Sequence, residues 1–282
     1  MQQIDIKSIL RNSDSRFLRR LPGFLIRIIA AIIHQKKINE IMAKYEGIEG
    51  IEFLTKVLEE FMLKVEIEGL DNLPDNGKCF FVSNHPFGLI DGLILTHTVG
   101  QRYHSLKAIG NDMFDYVPNL RPLIATVNVF GRISKEGVLA LEEVYNSQTP
   151  ITHFPEGEVS RRHNGKIHDI SWQKSFVSKA VSCQRNIVPF FIYGKNSSLF
   201  YFIYSTRKLL GIKTDIELML LPHEMFRKRG QTVRVRIGKP IYWQTFDQSL
   251  THKEWAEKLR QHVYLLGEAP TSDLEFKKPF TE

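Results

Sequence analysis

The chain has 282 residues, of which 43% are hydrophobic and 24% are charged. This balance is typical of a globular protein and excludes a disordered or fibrous chain. Lys and Arg number 38 against 31 Asp and Glu, and the net charge of +7 favours anionic partners such as a membrane face, a phosphorylated substrate or an acidic carrier protein. Because neither zinc-finger spacing nor an aromatic ribonucleoprotein signature accompanies the charge, we do not expect nucleic acid as a partner.

The cysteine content is low, and both cysteines, Cys79 and Cys183, lie in or beside apolar segments. Two cysteines are too few for a disulfide framework or a zinc site, and they suit a reducing compartment. The N-terminus lacks the charged, apolar and small-residue succession of a secretory signal. We therefore expect a protein exposed to the cytoplasm, with no bound metal.

The first 62 residues are predicted to be helical. Residues 18–33 are strongly apolar, but they contain Arg27 in addition to Arg19 and Arg20. Their uninterrupted apolar core is shorter than the roughly 20 residues that a spanning helix needs. The segment either lies in the membrane interface, with its arginines toward anionic headgroups, or packs on the domain core. We favour the first alternative and define residues 1–62 as an N-terminal helical membrane-association segment.

From residue 63 onward, segments with strand patterns alternate with segments that have a helical apolar face. This order predicts an α/β fold in which a mixed, mostly parallel sheet is flanked by helices. We expect one domain over residues 63–266 and a loose tail over residues 267–282. Pro189, inside a very apolar run, predicts that its strand lines a sheet edge or groove. The predicted strands are residues 63–68, 79–82, 106–109, 125–130, 151–154, 187–193, 216–221 and 233–237.

A histidine and an aspartate follow the second of these strands. His85 comes at the exit of the strand, and Asp91 comes six positions later at the start of an apolar helix. Such a pair is suited to act as a general base and its orienting carboxylate. The alternative is an ordinary Asn-Pro-Gly turn, in which His85 is a surface residue and Asp91 caps the helix. This segment alone leaves both interpretations open.

Polar groups also follow the fourth predicted strand, and the ends of strands are the usual place for sites in open α/β sheets. Gly131 lets the backbone approach a ligand closely, and Arg132 and Lys135 are suited to hold a phosphate or a carboxylate. The alternative is a solvated loop that opens a helix. A charged loop by itself is a weak signal of function.

A further polar loop, Phe154-Pro155-Glu156-Gly157, follows the fifth predicted strand and is continued by Ser160 and Arg161. Glu156 is suited to bind a substrate hydroxyl or to orient arginines, and Arg161 is suited to bidentate contact with a phosphate. The alternative is an exposed turn of mixed charge.

Together, and in this order, the segments resemble the motifs of the glycerolipid acyltransferase family, which includes the lysophosphatidic-acid acyltransferases. The resemblance covers about residues 63–240 and extends to the His–Asp motif, the acceptor-binding motif, the Phe-Pro-Glu-Gly motif and a Val-Pro in an apolar strand. The matching positions are Asn84-His85 with Asp91, Gly131-Arg132, Phe154-Pro155-Glu156-Gly157 with Ser160 and Arg161, and Val188-Pro189. Four ordered motifs at these intervals are specific.

The likeness extends furthest to a branch whose members are called hemolysins and which includes O-acyltransferases of bacterial glycine and ornithine lipids. Shared features are the Trp-x-Lys-Ser-Phe segment at residues 172–176 and the Gly-basic-Asn-Ser turn at Gly194–Ser197.

Two features depart from the wider family. The spacer between His85 and Asp91 has five residues, one more than is common, and Glu158-Val159 replaces a Thr-Arg pair. The second departure favours an acceptor with a carboxylate headgroup.

The resemblance implies a membrane-associated O-acyltransferase that moves a fatty acyl group from an acyl thioester to the hydroxyl of a lysolipid, in phospholipid or aminolipid biosynthesis. His85 would be the general base, Asp91 its orienting carboxylate, and loop amides near Gly157 would stabilise the oxyanion. The implied substrate-binding residues are Asn84, Gly131, Arg132, Lys135, Glu156, Gly157, Ser160 and Arg161.

The implied partners are a lysolipid acceptor, an acyl-carrier protein (acyl-ACP) or coenzyme A (acyl-CoA) thioester as co-substrate, and an anionic membrane surface. No cofactor is implied. The expected location is peripheral, at the cytoplasmic face of the cell membrane. The alternative function is that of a non-catalytic lipid- or membrane-binding protein on the same fold.

Overall fold

The computed structural model describes residues 3–12, 16–111, 114, 116–127, 135–212 and 214–277. Its strands are β1 (Lys64–Glu68), β2 (Cys79–Ser83), β3 (Lys107–Asn111), β4 (Ile124–Val127), β5 (Ile151–His153), β6 (Arg161–His163), β7 (Lys166–His168), β8 (Asn186–Ile192) and β9 (Thr232–Ile237). Its α-helices are α1 (Ile6–Arg11), α2 (Arg16–Arg19), α3 (Gly23–Ile32), α4 (Gln35–Lys44), α5 (Gly50–Glu60), α6 (Leu89–Tyr103), α7 (Lys135–Asn146), α8 (Ser175–Ser182), α9 (Ser198–Leu209), α10 (Leu221–Arg227) and α11 (His252–Glu268).

Seven strands form one sheet in the order β1-β9-β8-β2-β5-β3-β4. Strands β8, β2, β5, β3 and β4 are parallel, whereas β9 is antiparallel to β8 and parallel to β1. The prediction of a mixed, mostly parallel sheet flanked by helices is therefore confirmed. Because helices cover both faces, β2 is buried along its whole length, which explains its uninterrupted apolar sequence. Strands β6 and β7, which were not predicted, form a separate antiparallel hairpin.

Helices cover the two faces of the sheet with apolar residues at helical spacing. On one face, α5 and α6 pack over β2, β8 and β9, and Phe53 and Val57 of α5 are buried there. On the other face, α8 and α11 pack over β2, β8 and β5, and α11 contributes Trp255, Leu259 and Val263 as a fully buried stripe. These two layers hold the carboxyl ends of β8, β2 and β5 side by side.

The segment 216–221, predicted as a strand, is helical, so that prediction is wrong. It forms a 3-10 helix over Ile216–Leu220 that leads directly into α10, which has Pro222 in its first turn. A short apolar run does not by its pattern distinguish a strand from a buried helix, and proline is well tolerated in the first turn of a helix. Residues 128–130 of another predicted strand lie outside the described residues.

Strand β8 is central, so the strand of Pro189 does not lie at the sheet edge, which was one of the two positions expected for it. Beside this proline, β9 has already ended at Ile237, and Gly238 N donates to Pro189 O over 2.8 Å. The neighbouring chain pairs with β8 again through the bridge between Ile187 and Ile241. Proline lacks an amide hydrogen, and it lies where the ladder between β8 and β9 is interrupted.

The helices α1–α4 precede the sheet and contact the 3-10 helix and α10. Leu10 and Ile26 belong to a small buried cluster against which Met219 packs. His34, just before α4, lies beside His223 of α10, with His34 Nε2 3.1 Å from His223 Nδ1. Within the described residues, no helix combines the length and the apolar character needed to cross a membrane.

The chain that follows α11 packs in part on the domain. Helix α11 continues to Glu268, and Phe276 packs against Trp255 and Phe246, with ring centroids 6.2 Å and 6.3 Å apart. The folded structure therefore continues past residue 267, where we expected the loose tail to begin.

Candidate active site

Three loops meet at the carboxyl ends of adjacent strands. Strand β2 lies between β8 and β5, so the loops 84–88, 154–158 and 193–197 share one edge of the sheet. In open α/β sheets, ligands bind at this edge. The first loop is also joined to the chain beyond the second, because Ser160 N donates a hydrogen bond of 2.8 Å to His85 O.

His85 and Asp91 lie side by side at this edge. His85 Nδ1 is 3.0 Å from Asp91 Oδ2, and the His85 ring stacks on Phe154 with ring centroids 4.0 Å apart. The His85 side chain is 17% exposed, whereas that of Asp91 is fully buried. A carboxylate beside Nδ1 leaves Nε2 as the ring nitrogen available to a substrate. The pair therefore has the placement of a general base and its orienting carboxylate.

Asp91 also caps α6. The oxygen that faces His85, Asp91 Oδ2, accepts hydrogen bonds from Phe87 N (2.7 Å) and Gly88 N (2.8 Å). The structure thus combines the two interpretations that the sequence left open, since one carboxylate satisfies amides at the helix start and also contacts the histidine. Burial raises the pKa of Asp91, while the contact with His85 and the two amides oppose this rise.

Gly88 accommodates the spacer between His85 and Asp91, which is one residue longer than is common. Its φ of 90° and ψ of −101° are rarely adopted by residues with a Cβ atom. A Cβ atom at this position would lie 2.9 Å from Leu221 Cδ2 and 3.2 Å from Val159 Cγ2. The glycine therefore lets the chain turn beneath α10, and the longer loop keeps the histidine and the aspartate in contact.

A second buried carboxylate, Asp169, holds the His85 loop, and we did not predict it. Asp169 Oδ1 accepts hydrogen bonds from Ser160 Oγ (2.6 Å) and His85 N (3.3 Å), and Asp169 Oδ2 accepts one from Trp172 Nε1 (2.8 Å). Both backbone polar atoms of His85 are therefore bonded, one to Asp169 and the other to Ser160. The nearest sequence signal was the Trp-x-Lys-Ser-Phe segment that begins at Trp172.

Glu156 and Gly157 lie in the loop after β5, close to the ring that stacks on His85. Glu156 Oε2 accepts a hydrogen bond from Ser171 N over 2.8 Å. Burial raises the pKa of Glu156 to about 7, and the charge of Asp169 adds to this rise. Gly157 N donates to Phe154 O within the turn, so this amide is already bonded in the structure and does not point to an oxyanion.

Arg161 does not face the loop edge as the sequence suggested. Its side chain is 1% exposed, and its Nη2 lies 3.2 Å from Oε1 of the fully buried Glu217. Its guanidinium also lies over the rings of Phe200 and Tyr204, at 5.3 Å and 5.2 Å from their centroids. Because Glu217 also pairs with Arg207, the buried carboxylate is shared by two arginines. In this structure Arg161 joins the hairpin β6–β7 to α9 and is not displayed to a ligand.

The remaining predicted site residues occupy different environments. Asn84 is buried, and its amide pairs with the backbone of Ile192, with Nδ2 to O at 3.0 Å and Oδ1 to N at 2.8 Å. This side chain therefore joins the His85 loop to β8. Lys135 is the first residue of α7 and is exposed. Gly131 and Arg132 lie outside the described residues.

Comparison with known proteins extends these observations. The chain matches, over residues 8–272, the model of a family described as “Acyltransferase”. This range includes the three loops, the sheet and most of the N-terminal helices. The chain belongs to this acyltransferase family.

Two curated relatives are similar to the acyltransferase along nearly their whole lengths. The Lyso-glycine lipid O-acyltransferases of Phocaeicola vulgatus and Bacteroides thetaiotaomicron are each 38% identical to it over 264 residues, which is 93% of this chain and 95% and 97% of theirs. Among solved structures, it is similar to the 1-acyl-sn-glycerophosphate acyltransferase PlsC of Thermotoga maritima, with a TM-score of 0.45, 18% identity and coverage of 87% and 93% of the two chains. The family resemblance inferred from the sequence is confirmed.

Gly194 is expected to be intolerant of substitution. A Cβ atom there would lie 1.9 Å from Phe87 Cζ, and φ is +149°. In the acyltransferase, Gly194→Ala should therefore displace the Phe87 loop and lower the free energy of unfolding by about 2 kcal/mol or more. The matched control is Gly165→Ala, where φ is +80° but a Cβ atom would meet no atom within 4 Å. Chemical denaturation of the two variants measures the difference, and equal losses would contradict the steric explanation.

Proposed function

We propose that this acyltransferase is a membrane-associated lysolipid O-acyltransferase, which moves a fatty acyl group from an acyl thioester to the hydroxyl of a monoacylated aminolipid. The observation that carries the proposal is the 3.0 Å contact between His85 Nδ1 and Asp91 Oδ2 at the carboxyl end of β2. The names of the two curated relatives support lyso-glycine lipid as the first acceptor to test.

In this mechanism, His85 Nε2 takes the proton from the acceptor hydroxyl as its oxygen attacks the thioester carbon. A new ester C–O bond forms, the C–S bond breaks, and the proton passes from the imidazolium to the departing thiolate. Asp91 holds the ring with Nε2 outward and stabilises the imidazolium while it exists. No enzyme nucleophile takes part, since the acceptor itself attacks.

The donor in this proposal is acyl-ACP or acyl-CoA, both of which are anionic and therefore suit the net charge of +7. Acyl transfer from a thioester involves proton transfer and no change of redox state, so the proposed reaction uses the thioester as co-substrate and needs no cofactor. We assign Glu156 to the acceptor side of the site. With a pKa raised to about 7, its carboxyl group can donate a hydrogen bond to the substrate as well as accept one.

A transfer assay with purified protein tests the proposed function. Labelled acyl-ACP and acyl-CoA are each offered with lyso-glycine lipid, lyso-ornithine lipid and lysophosphatidic acid, and liposome binding is measured in parallel. We expect labelled ester on an aminolipid acceptor and little or none on lysophosphatidic acid. Liposome binding without transfer to any acceptor would instead favour a non-catalytic lipid-binding protein.

Membrane association is proposed to use the outer face of α3. Phe24, Ile28 and Ile32 are 57%, 50% and 38% exposed, and their spacing places them on one side of the helix. Arg27 is also exposed and flanks this apolar side. An apolar helical face with a basic residue suits the interface of an anionic membrane, and we place the protein peripherally at the cytoplasmic face.

The double change Phe24→Ser and Ile28→Ser should weaken binding to vesicles that contain anionic phospholipid by about tenfold or more, because it removes two large apolar side chains from the proposed contact. Vesicle flotation measures the partition. Leu265→Ser on α11 is the matched control, since Leu265 is 55% exposed but distant in the chain from α3. Unchanged partition of the double variant, or an equal loss in the control, would contradict this role of α3.

A further inference from the structure

Helix α10 crosses the loop that carries His85 and brings a lysine to it. Leu221, at the start of this helix, lies against Gly88. Lys228, directly after its end, places Nζ 4.9 Å from the centroid of the Phe87 ring. The backbone of Phe87 in turn donates to Asp91 Oδ2, the atom that contacts His85. One residue, Phe87, therefore separates the Lys228 ammonium group from the proposed catalytic pair.

This lysine is half-buried and lacks a close anionic partner. Among the described residues, no carboxylate oxygen lies within ion-pair distance of the ammonium group of Lys228 or of Lys195. Burial lowers the pKa of Lys228, the charges of Arg227 and Lys195 lower it further, and Glu224 opposes them. Glu224 is itself engaged, since its two oxygens accept from the amide and the hydroxyl of Ser197.

Lys195 supplies a second ammonium group, which lies close enough to Lys228 for its charge to lower the pKa of Lys228. It is exposed and directly follows Gly194, whose missing side chain allows close contact with the Phe87 ring. Two neighbouring ammonium groups, neither with a carboxylate partner among the described residues, form a site for an anion. A half-buried ammonium group without a counter-ion is unfavourable, and a bound anion would relieve that cost.

We propose that Lys228, assisted by Lys195, binds the carboxylate headgroup of the lysolipid acceptor and so orients its hydroxyl toward His85. This inference rests on the proposed function. It assigns a cation to the acceptor headgroup in place of Arg161, which is paired with Glu217. A glycine that is joined to a lipid through its amine presents one carboxylate and no positive charge. A compact lysine ammonium group suits such a single anionic group, and the Phe87 ring lies beneath Nζ of Lys228.

The other anion that could reach this site is a phosphate of the donor, and the test separates the two sources. Steady-state rates are measured for wild type, Lys228→Met and Lys195→Met with lyso-glycine lipid and with an analogue whose carboxylate is a primary carboxamide. The KM values for acceptor and donor are determined separately. Equilibrium binding of both acceptors is measured without donor. Lys253→Met, an exposed position on α11, controls for the loss of one positive charge.

For Lys228→Met, we expect the acceptor KM to rise about tenfold or more with the carboxylate acceptor, and to change little with the carboxamide. The wild type should prefer the carboxylate, and Lys228→Met should lose that preference in both rates and binding. Lys195→Met should show the same change to a smaller degree, and Lys253→Met should not. An unchanged preference for the carboxylate acceptor in Lys228→Met, or a rise confined to the donor KM, would overturn the inference about Lys228. In that case, transfer by the wild type would still support the proposed function. If the wild type binds the carboxylate acceptor preferentially but transfers nothing, the proposed function fails while the headgroup site stands.

Discussion

Replacing His85 by alanine is expected to lower kcat by about 10² to 10⁴-fold, because the variant has no group to take the proton from the acceptor hydroxyl. The fold should persist. The main losses are the ring stack on Phe154 and the contact with Asp91, and Asp91 keeps the amide donors of Phe87 and Gly88. The free energy of unfolding should fall by about 1 kcal/mol.

Steady-state transfer and chemical denaturation, measured on the same preparation, check this expectation. His97→Ala serves as the matched control, since His97 is a half-buried histidine of α6 that is hydrogen-bonded to Thr55. It should lose stability to a similar degree while transfer continues. A folded His85→Ala protein with near-normal transfer would show that His85 is not the base.

Two different replacements of Asp91 are expected to distinguish its role in catalysis from its role in capping α6. In Asp91→Asn, an amide oxygen can still accept from Phe87 N and Gly88 N, but the negative charge beside His85 is lost. We expect kcat to fall by about 10²-fold or more, with a change in unfolding free energy below about 1 kcal/mol. Asp91→Ala should show the same loss of rate and a further loss of stability of about 1–2 kcal/mol, because the cap is also removed.

The comparison between these two variants decides between the alternatives that the sequence left open. If the carboxylate acts only as a cap, Asp91→Asn should transfer acyl groups at the wild-type rate, and only Asp91→Ala should be impaired through unfolding. If the negative charge of Asp91 supports catalysis by His85, both variants should transfer acyl groups slowly, and only Asp91→Ala should be unstable. Parallel rate and denaturation measurements distinguish the two patterns.

Local sequence signals predicted the part of the site that lies in the short segment from His85 to Asp91. The buried run before His85 predicted a strand, and the order of the later motifs predicted the family. The contact between His85 and Asp91 does not follow from the spacing alone, because it depends on the conformation at Gly88, where φ is 90°. The sheet was predictable because most of its strands are short apolar runs bounded by turn residues.

Long-range contacts account for most of what the sequence did not reveal. Asp169 bonds His85 N from 84 positions along the chain, so neither residue indicates the other. Arg161 was predicted to bind a ligand because arginine suits anions. It pairs with Glu217 instead, because the 3-10 helix that carries Glu217 packs beside α9. The same folding places Lys228 beside Phe87, two residues after His85, and no local sequence pattern indicates this contact.

The most direct test of the proposed mechanism is a single-turnover experiment with stoichiometric labelled acyl-ACP or acyl-CoA, quenched at successive times and examined by intact-protein mass and by lipid analysis. Direct attack by the acceptor hydroxyl predicts no acyl group on the protein when the donor is present alone. Upon addition of lyso-glycine lipid, the label should move into an ester of that lipid in the wild type, and far more slowly in His85→Ala. A stoichiometric acyl-protein adduct that forms without acceptor, or equal rates in the two proteins, would contradict the mechanism.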